Sequence, residues 1–190
     1  MQIEVQQIAE LFSGIYVNTS AARGHAVYYL QMRHWNGERN WARNIEPDLR
    51  EEKKFDKNYL ESGDLLLATK GTHPFAALYD GRYQPAIASS VFTVLRIADP
   101  TKILPAYLQW YLNHPATTSV LVAASRGTSI PLITRDVIEK LPVTLPPIRK
   151  QELIVGVHRL QEQANRLRSR MNQLNEKLFQ HRLLQIANRQ

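Results

Sequence analysis

Apolar positions along the chain change their spacing several times, and each change marks an element. VQQIAELF places Val5, Ile8, Ala9 and Phe12 on one helical face, and Ser13-Gly14 predicts where that helix ends. HAVYYLQMR at 25–33 is rich in β-branched and aromatic residues and reads as a strand. The polar stretch HWNGERNWARNIEPDLREEKKFDKNY has no clear period and predicts a long loop or irregular excursion, a length that usually serves a function. Apolar runs at 64–68, 76–79 and 91–97 predict strands, with turns at KGTHP and DGRYQP. Helices fit 105–113, opening on Pro105, and 116–125; a third runs from Thr134 as N-cap to Lys140.

Pro142, Pro146 and Pro147 then predict an extended, stiff strap, because proline donates nothing to a ladder and restricts the residue before it. Beyond the strap the period changes for the last time. Leu153, Val157, Leu160, Ala164, Leu167, Met171, Leu174 and Leu178 recur at steps of four and three, the seam of a coiled coil. After Leu178 the stripe moves to Phe179, Leu183 and Ile186. A forty-residue helix would reach about 60 Å and cannot bury such a seam alone, so a partner helix is predicted, a homodimer first. The pattern as a whole predicts an α+β fold in two parts. Residues 1–147 form a head with a mixed β-sheet and short helices, and 148–190 form one long coiled-coil helix for dimerisation, spacing and partner binding.

Charge separates the same two parts. Of 24 Lys/Arg and 17 Asp/Glu, nine and three lie in 149–190, which leaves 15 and 14 in 1–148. The net charge of +7 therefore sits almost wholly on the tail, and a basic surface makes nucleic acid the first partner to test. No apolar run is long enough for a membrane span, and MQIEVQQIAELF lacks the pattern of a secretion signal. With no cysteine the chain has no disulfide and no thiolate metal site, and a cytoplasmic location is the expectation.

The residues offer little for catalysis. Asp48, Glu51, Glu52, Lys53 and Lys54 superficially resemble a nuclease cluster, but their spacing is too short and they read as a charged, solvated face. No two of the six histidines stand at helical metal-ligand spacing. There is no phosphate-binding P-loop, no glycine-rich S-adenosylmethionine signature and no Asn-Pro-Pro-aromatic motif. No metal, cofactor or catalytic residue is expected.

ESGDLLLATKGT, AIASSVFTVLRI, ILPAYLQWYLNHP and SRGTSIPLITRDVIEKLPVTLPP, followed by a long helix, stand in the order of the target recognition domain of type I restriction-modification specificity subunits, which this chain resembles. The resemblance runs from about residue 61 through the helix and more loosely includes IAELFSGI. It implies a non-catalytic subunit that reads double-stranded DNA, with a DNA methyltransferase subunit and a motor-nuclease subunit as separate partner chains. Full-length members of that family carry two recognition domains, each followed by a helix, and the two helices pack antiparallel. One head and one helix here imply a half-subunit that homodimerises or pairs with a different recognition chain. A second departure is Ile148-Arg149-Lys150-Gln151, where the family often has an acidic residue.

Against that role, residue chemistry nominates specific side chains. Arg pairs with guanine edges and Asn or Gln with adenine, so Gln31, Arg33, Asn36, Arg39, Asn40 and Arg43, interleaved with Trp35 and Trp41, are candidate base readers; the alternative is a partly buried surface loop. Thr69 and Lys70, with Arg126, Thr128 and Ser129, combine hydroxyls, cations and glycine neighbours suited to phosphate; a tight turn held by Ser/Thr hydrogen bonds is the alternative. Ser89 and Ser90 are weaker candidates that also fit a turn. A different class of function is an interaction or regulatory protein that uses the same fold and coiled coil to occupy another complex without targeting it to DNA.

Overall fold

Leu65, Leu66 and Leu67 are all fully buried, an unbroken run that needs a strand covered on both faces. The computed structural model, which describes residues 2–17, 24–35, 41–42, 44–125 and 131–188, puts them in a central strand. The strands are β1 (Gln2–Glu4), β2 (Ala9–Ser13), β3 (Ala26–Leu30), β4 (Leu49–Arg50), β5 (Leu65–Ala68), β6 (Ala76–Leu78), β7 (Ala86–Ala88), β8 (Phe92–Ile97) and β9 (Pro142–Thr144). The helices are α1 (Pro105–Leu112), α2 (Pro115–Ala124), α3 (Arg135–Glu139) and α4 (Ile148–Ala187). Strands β2-β8-β5-β6 form one antiparallel sheet, and β4-β3-β7 form a second in which β3 and β7 run parallel.

The predicted amino-terminal helix is a correction. Val5–Gln7 is a single 3-10 turn, and Ala9–Ser13 is a strand on the edge of β8, with Leu11 opposite Leu95. Buried Ala9 and Leu11 flank exposed Glu10, and Phe12 on the Glu10 face is half-buried, a period of two that pairing with β8 selects over the helical spacing. Close approach explains Gly14 at its end: a Cβ there would stand 2.2 Å from the Ser89 carbonyl oxygen. The proline strap is extended, as its prolines predict, and Pro142–Thr144 also joins a ladder with β1. Pro142 sits at the first position of the strand, where its missing N–H is tolerated, and Val143 is fully buried opposite Ile3.

The polar excursion contains anchors. Trp41 is buried, its indole donates to the Leu78 carbonyl at 2.9 Å, and Trp35 stacks on Phe75 with centroids 5.0 Å apart. Phe55 and Leu49, also buried, pack with Val27, Tyr29 and Ile87. One buried ion pair fixes the turn before β5. Arg96 gives both oxygens of Asp64 a hydrogen bond, at 2.9 and 2.7 Å, and reaches Glu61 and the Tyr59 carbonyl as well. Thr134 stands at the α3 N-cap, although its side chain makes no cap bond, whereas His114 caps α2 through Nδ1.

Contacts divide the chain after Gln151 into Met1–Gln151 and Glu152–Gln190. The first turn of α4 thus belongs to the head, and Gln151 holds it there. Fully buried, it accepts from Leu104 N–H and donates to the carbonyls of Lys102 and Pro146, each at 2.9 Å. Among the described residues no helix is long and apolar enough to cross a membrane, and no acidic, His or Cys cluster is arranged to hold a metal ion.

Candidate nucleic-acid interface

Parallel pairing of β3 with β7 ends at Leu30 opposite Ala88, so Gln31 and Ser89 leave the sheet side by side. From there a chain of backbone hydrogen bonds crosses to the β2-β8-β5-β6 sheet. Ser89 N–H donates to the Leu30 carbonyl at 2.9 Å, Thr69 N–H to the Val91 carbonyl at 3.0 Å, and Ile133 N–H to the Thr69 carbonyl at 2.9 Å. Gly71 N–H donates to the Pro131 carbonyl, and Lys70 bridges Leu132. Four candidate segments, at 31–33, 69–71, 89–90 and the exit of the 125–131 stretch, therefore meet where β3, β5 and β7 end. Trp35, stacked on Phe75 and bridged to Trp41, fixes the two sides of the 36–40 segment near the same place, because Ala68 N–H donates to the Phe75 carbonyl.

Individual side chains differ in what they have free. Lys70 is exposed, on a turn whose Gly71 has φ +112°, a conformation that favours glycine, and among the described residues it makes no ion pair. Thr69 is buried, and its hydroxyl donates to the Val91 carbonyl at 3.3 Å, which favours the alternative of a tight turn held by a Thr hydrogen bond. Ser89 is also buried, its hydroxyl without a partner among the described atoms, while Ser90 is half-buried. Ser125 ends α2, with its hydroxyl on the Val122 carbonyl at 2.8 Å. Asn36, Arg39, Asn40, Arg43, Arg126, Thr128 and Ser129 lie outside the described residues.

Gln31 and Arg33 flank a 3-10 turn, Met32–His34. Gln31 N–H donates to His34 Nδ1 at 3.3 Å, and burial, followed by the charge of Arg33, holds the His34 pKa below its ordinary value. Arg33 is exposed but committed, with its guanidinium 3.1 Å from Asp48 Oδ2. The other Asp48 oxygen accepts from Tyr29 N–H at 3.2 Å. Asp48, Glu51, Lys53 and Lys54 are exposed, as expected of a charged, solvated face, and Asp48 in addition pairs with Arg33. Nothing local in the sequence signals this, because the partners lie 15 residues apart.

Beyond Gln151 the seam side chains of α4 are open, although Val155 is buried. Leu153, Val157, Leu160, Leu167, Met171, Leu174 and Leu178 are each at least half exposed, and Ala164 is exposed too. Phe179, Leu183 and Ile186 extend the apolar surface.

The family of type I restriction modification DNA specificity domains matches residues 25–177. The chain belongs to that family. Solved structures share the fold of this specificity domain. The type-I restriction-modification S subunit from M. genitalium is 13% identical with a TM-score of 0.59, covering 94% of this chain and 43% of that one. The HsdS subunit from Thermoanaerobacter tengcongensis is 22% identical with a TM-score of 0.67, covering 95% and 47%. A chain from a type I R-M complex, solved in a study of its assembly and conformational transition, is 15% identical with a TM-score of 0.67, covering 95% and 43%. The specificity domain therefore spans less than half the length of each. No curated protein sequence matches it significantly.

Proposed function

We propose that this specificity domain reads one half of a bipartite target in double-stranded DNA and positions a methyltransferase subunit, together with a motor-nuclease subunit, on that target. The observation that carries the reading is the meeting of 31–33, 69–71 and 89–90 at one sheet end, in a member of a DNA specificity family. Lys70 contacts phosphate there, and Arg33, aimed by Asp48, reaches a base edge. The flanking segments at 36–43 and 126–129 add the further readers Asn36, Arg39, Asn40, Arg43, Arg126, Thr128 and Ser129. Ser90 borders the same surface. DNA as target makes the cytoplasm the place of work.

The seam of α4 takes a second copy of the same helix, antiparallel. A two-fold axis between Asn165 and Arg166 places Leu153 opposite Leu178, Val157 opposite Leu174, Leu160 opposite Met171 and Ala164 opposite Leu167, so every layer is apolar. The flanking charges avoid one another in that register. Arg168 meets the second copy's Gln161, Arg170 its Gln163 and Lys177 its Gly156, whereas a parallel pair sets Lys177 against Arg182. Single-molecule methylation sequencing of cells with and without the chain tests the function. A split motif should lose its methylation when the chain is removed, and an unchanged methylation pattern would refute the reading.

A further inference from the structure

On α4, Arg159, Arg166, Arg170 and Lys177 follow at steps of seven, four and seven residues. At about 100° per residue they fall within about 40° of one line, roughly 110° around the helix from the seam and about 27 Å long. All four are exposed, and among the described residues none makes an ion pair. Glu162, four residues before Arg166, contacts His158 at 3.5 Å instead, and Glu176, beside Lys177, accepts from Gln180 at 2.8 Å. A helix tuned only for water would avoid like charges four residues apart. Arg166 and Arg170 set like charges there, which costs the isolated helix a little.

Resting on the antiparallel pairing above, we propose that this line is a phosphate-binding track for the unread DNA between the two half-sites. In heptad terms the four lie at c and g, and antiparallel pairing brings the g positions of both helices to one side of the pair. Two copies therefore present eight cations on one face, around the two-fold axis, with Arg168 on the opposite flank. The match is to a polyanion that extends along the pair, and a duplex carries one negative charge per about 1.7 Å of its axis. Such contacts read no bases, so the gap is held without being specified.

The test uses the full chain and a mixed-sequence duplex long enough to span both heads. A variant with Arg159→Gln, Arg166→Gln, Arg170→Gln and Lys177→Gln should keep its mass in light scattering, because c and g lie outside the seam. Its slope of log affinity against log salt should fall by about 0.9 unit for each phosphate that the variant leaves unneutralised, at least three units in all. Adding Asn165→Lys, Ser169→Lys and Asn172→Lys to that variant returns charge to another side of the helix and should not restore the slope. An unchanged slope, or one restored by the relocated charges, overturns the track. If Lys70→Ala lowers the slope while the helix variant does not, DNA reading by the head stands and the track alone falls. If the wild-type chain binds no duplex, both fall.

Discussion

In the head, Arg33, Lys54, Arg82, Arg96, Lys102, Arg135 and Lys140 each lie within 3.1 Å of a carboxylate. On α4 beyond Gln151, Arg159, Arg166, Arg168, Arg170, Lys177 and Arg182 make no ion pair among the described residues, and the apolar seam beside them is at least half exposed. The head also buries its long apolar side chains, from Leu65 to Ile103. Seven of the head's thirteen described Lys and Arg are thus paired, Lys70 not among them, against none of the six on α4 beyond Gln151. The difference marks the head as the folded core and α4 as the proposed assembly surface.

The sharpest way to break the contrast is at the seam. Replacing Leu160 and Leu167 together with Glu removes about 1.5–3 kcal/mol of burial per leucine and forces charge against apolar neighbours, once from each copy. Light scattering should then report monomers while thermal unfolding of the head stays put. A head that melted with the seam would erase the distinction between the regions.

Next in size is a cut inside the head. Asp64→Ala strips Arg96 of a bidentate partner that is only 2% exposed and leaves the Glu61 N–H without its acceptor. Breaking a buried pair costs about 3–5 kcal/mol, and the half-buried Arg96 places this one near the lower end. Denaturant unfolding should show the drop in stability, with oligomer mass unchanged at temperatures where the head remains folded.

A smaller effect distinguishes neighbours. Lys70→Ala should weaken binding to every duplex alike and lower the salt slope by about 0.9 unit, whereas Thr69→Val should reduce stability by removing its hydrogen bond to Val91 and leave the slope alone. Equal slope changes would return Thr69 to the phosphate surface. The smallest effect is a titration. With its folded pKa depressed, neutral His34 contributes stability that is present above the ordinary histidine value of 6.5 and is lost as pH falls through the lower folded pKa. An NMR titration of the His34 ring should give a midpoint below that value, and a midpoint above it would mean that Asp48 outweighs burial and Arg33.

Local signals make β5, β8, α1, α2 and the seam legible, because apolar runs, prolines at helix starts and a heptad each fit inside one window. The short strands β1, β4 and β9 are not legible, since two or three residues carry no period and the partner of Ile3 is Val143, far along the chain. Ala9–Ser13 reads wrongly as helix because an edge of β8 decides between two spacings that the residues allow. Of the candidate interface, Lys70, Arg33 and Ser90 can be nominated by chemistry alone. Thr69 cannot be told from Lys70 without knowing that Val91 and Ile133 close over it, and Asp48 cannot be linked to Arg33 without the fold.

The central claim is that one kind of head, doubled through one helix, reads DNA twice. Selection from a randomised duplex library by the full chain, alone and with a methyltransferase subunit, tests it most directly. Two identical half-sites in inverted orientation, separated by an unread gap of fixed length, are predicted. Inserting seven residues, one heptad, near Asn165 should lengthen that gap by about three base pairs, from 1.5 Å per helical residue against 3.4 Å per pair, with the half-sites unchanged. A single uninterrupted site, or two unrelated halves, would contradict the homodimer.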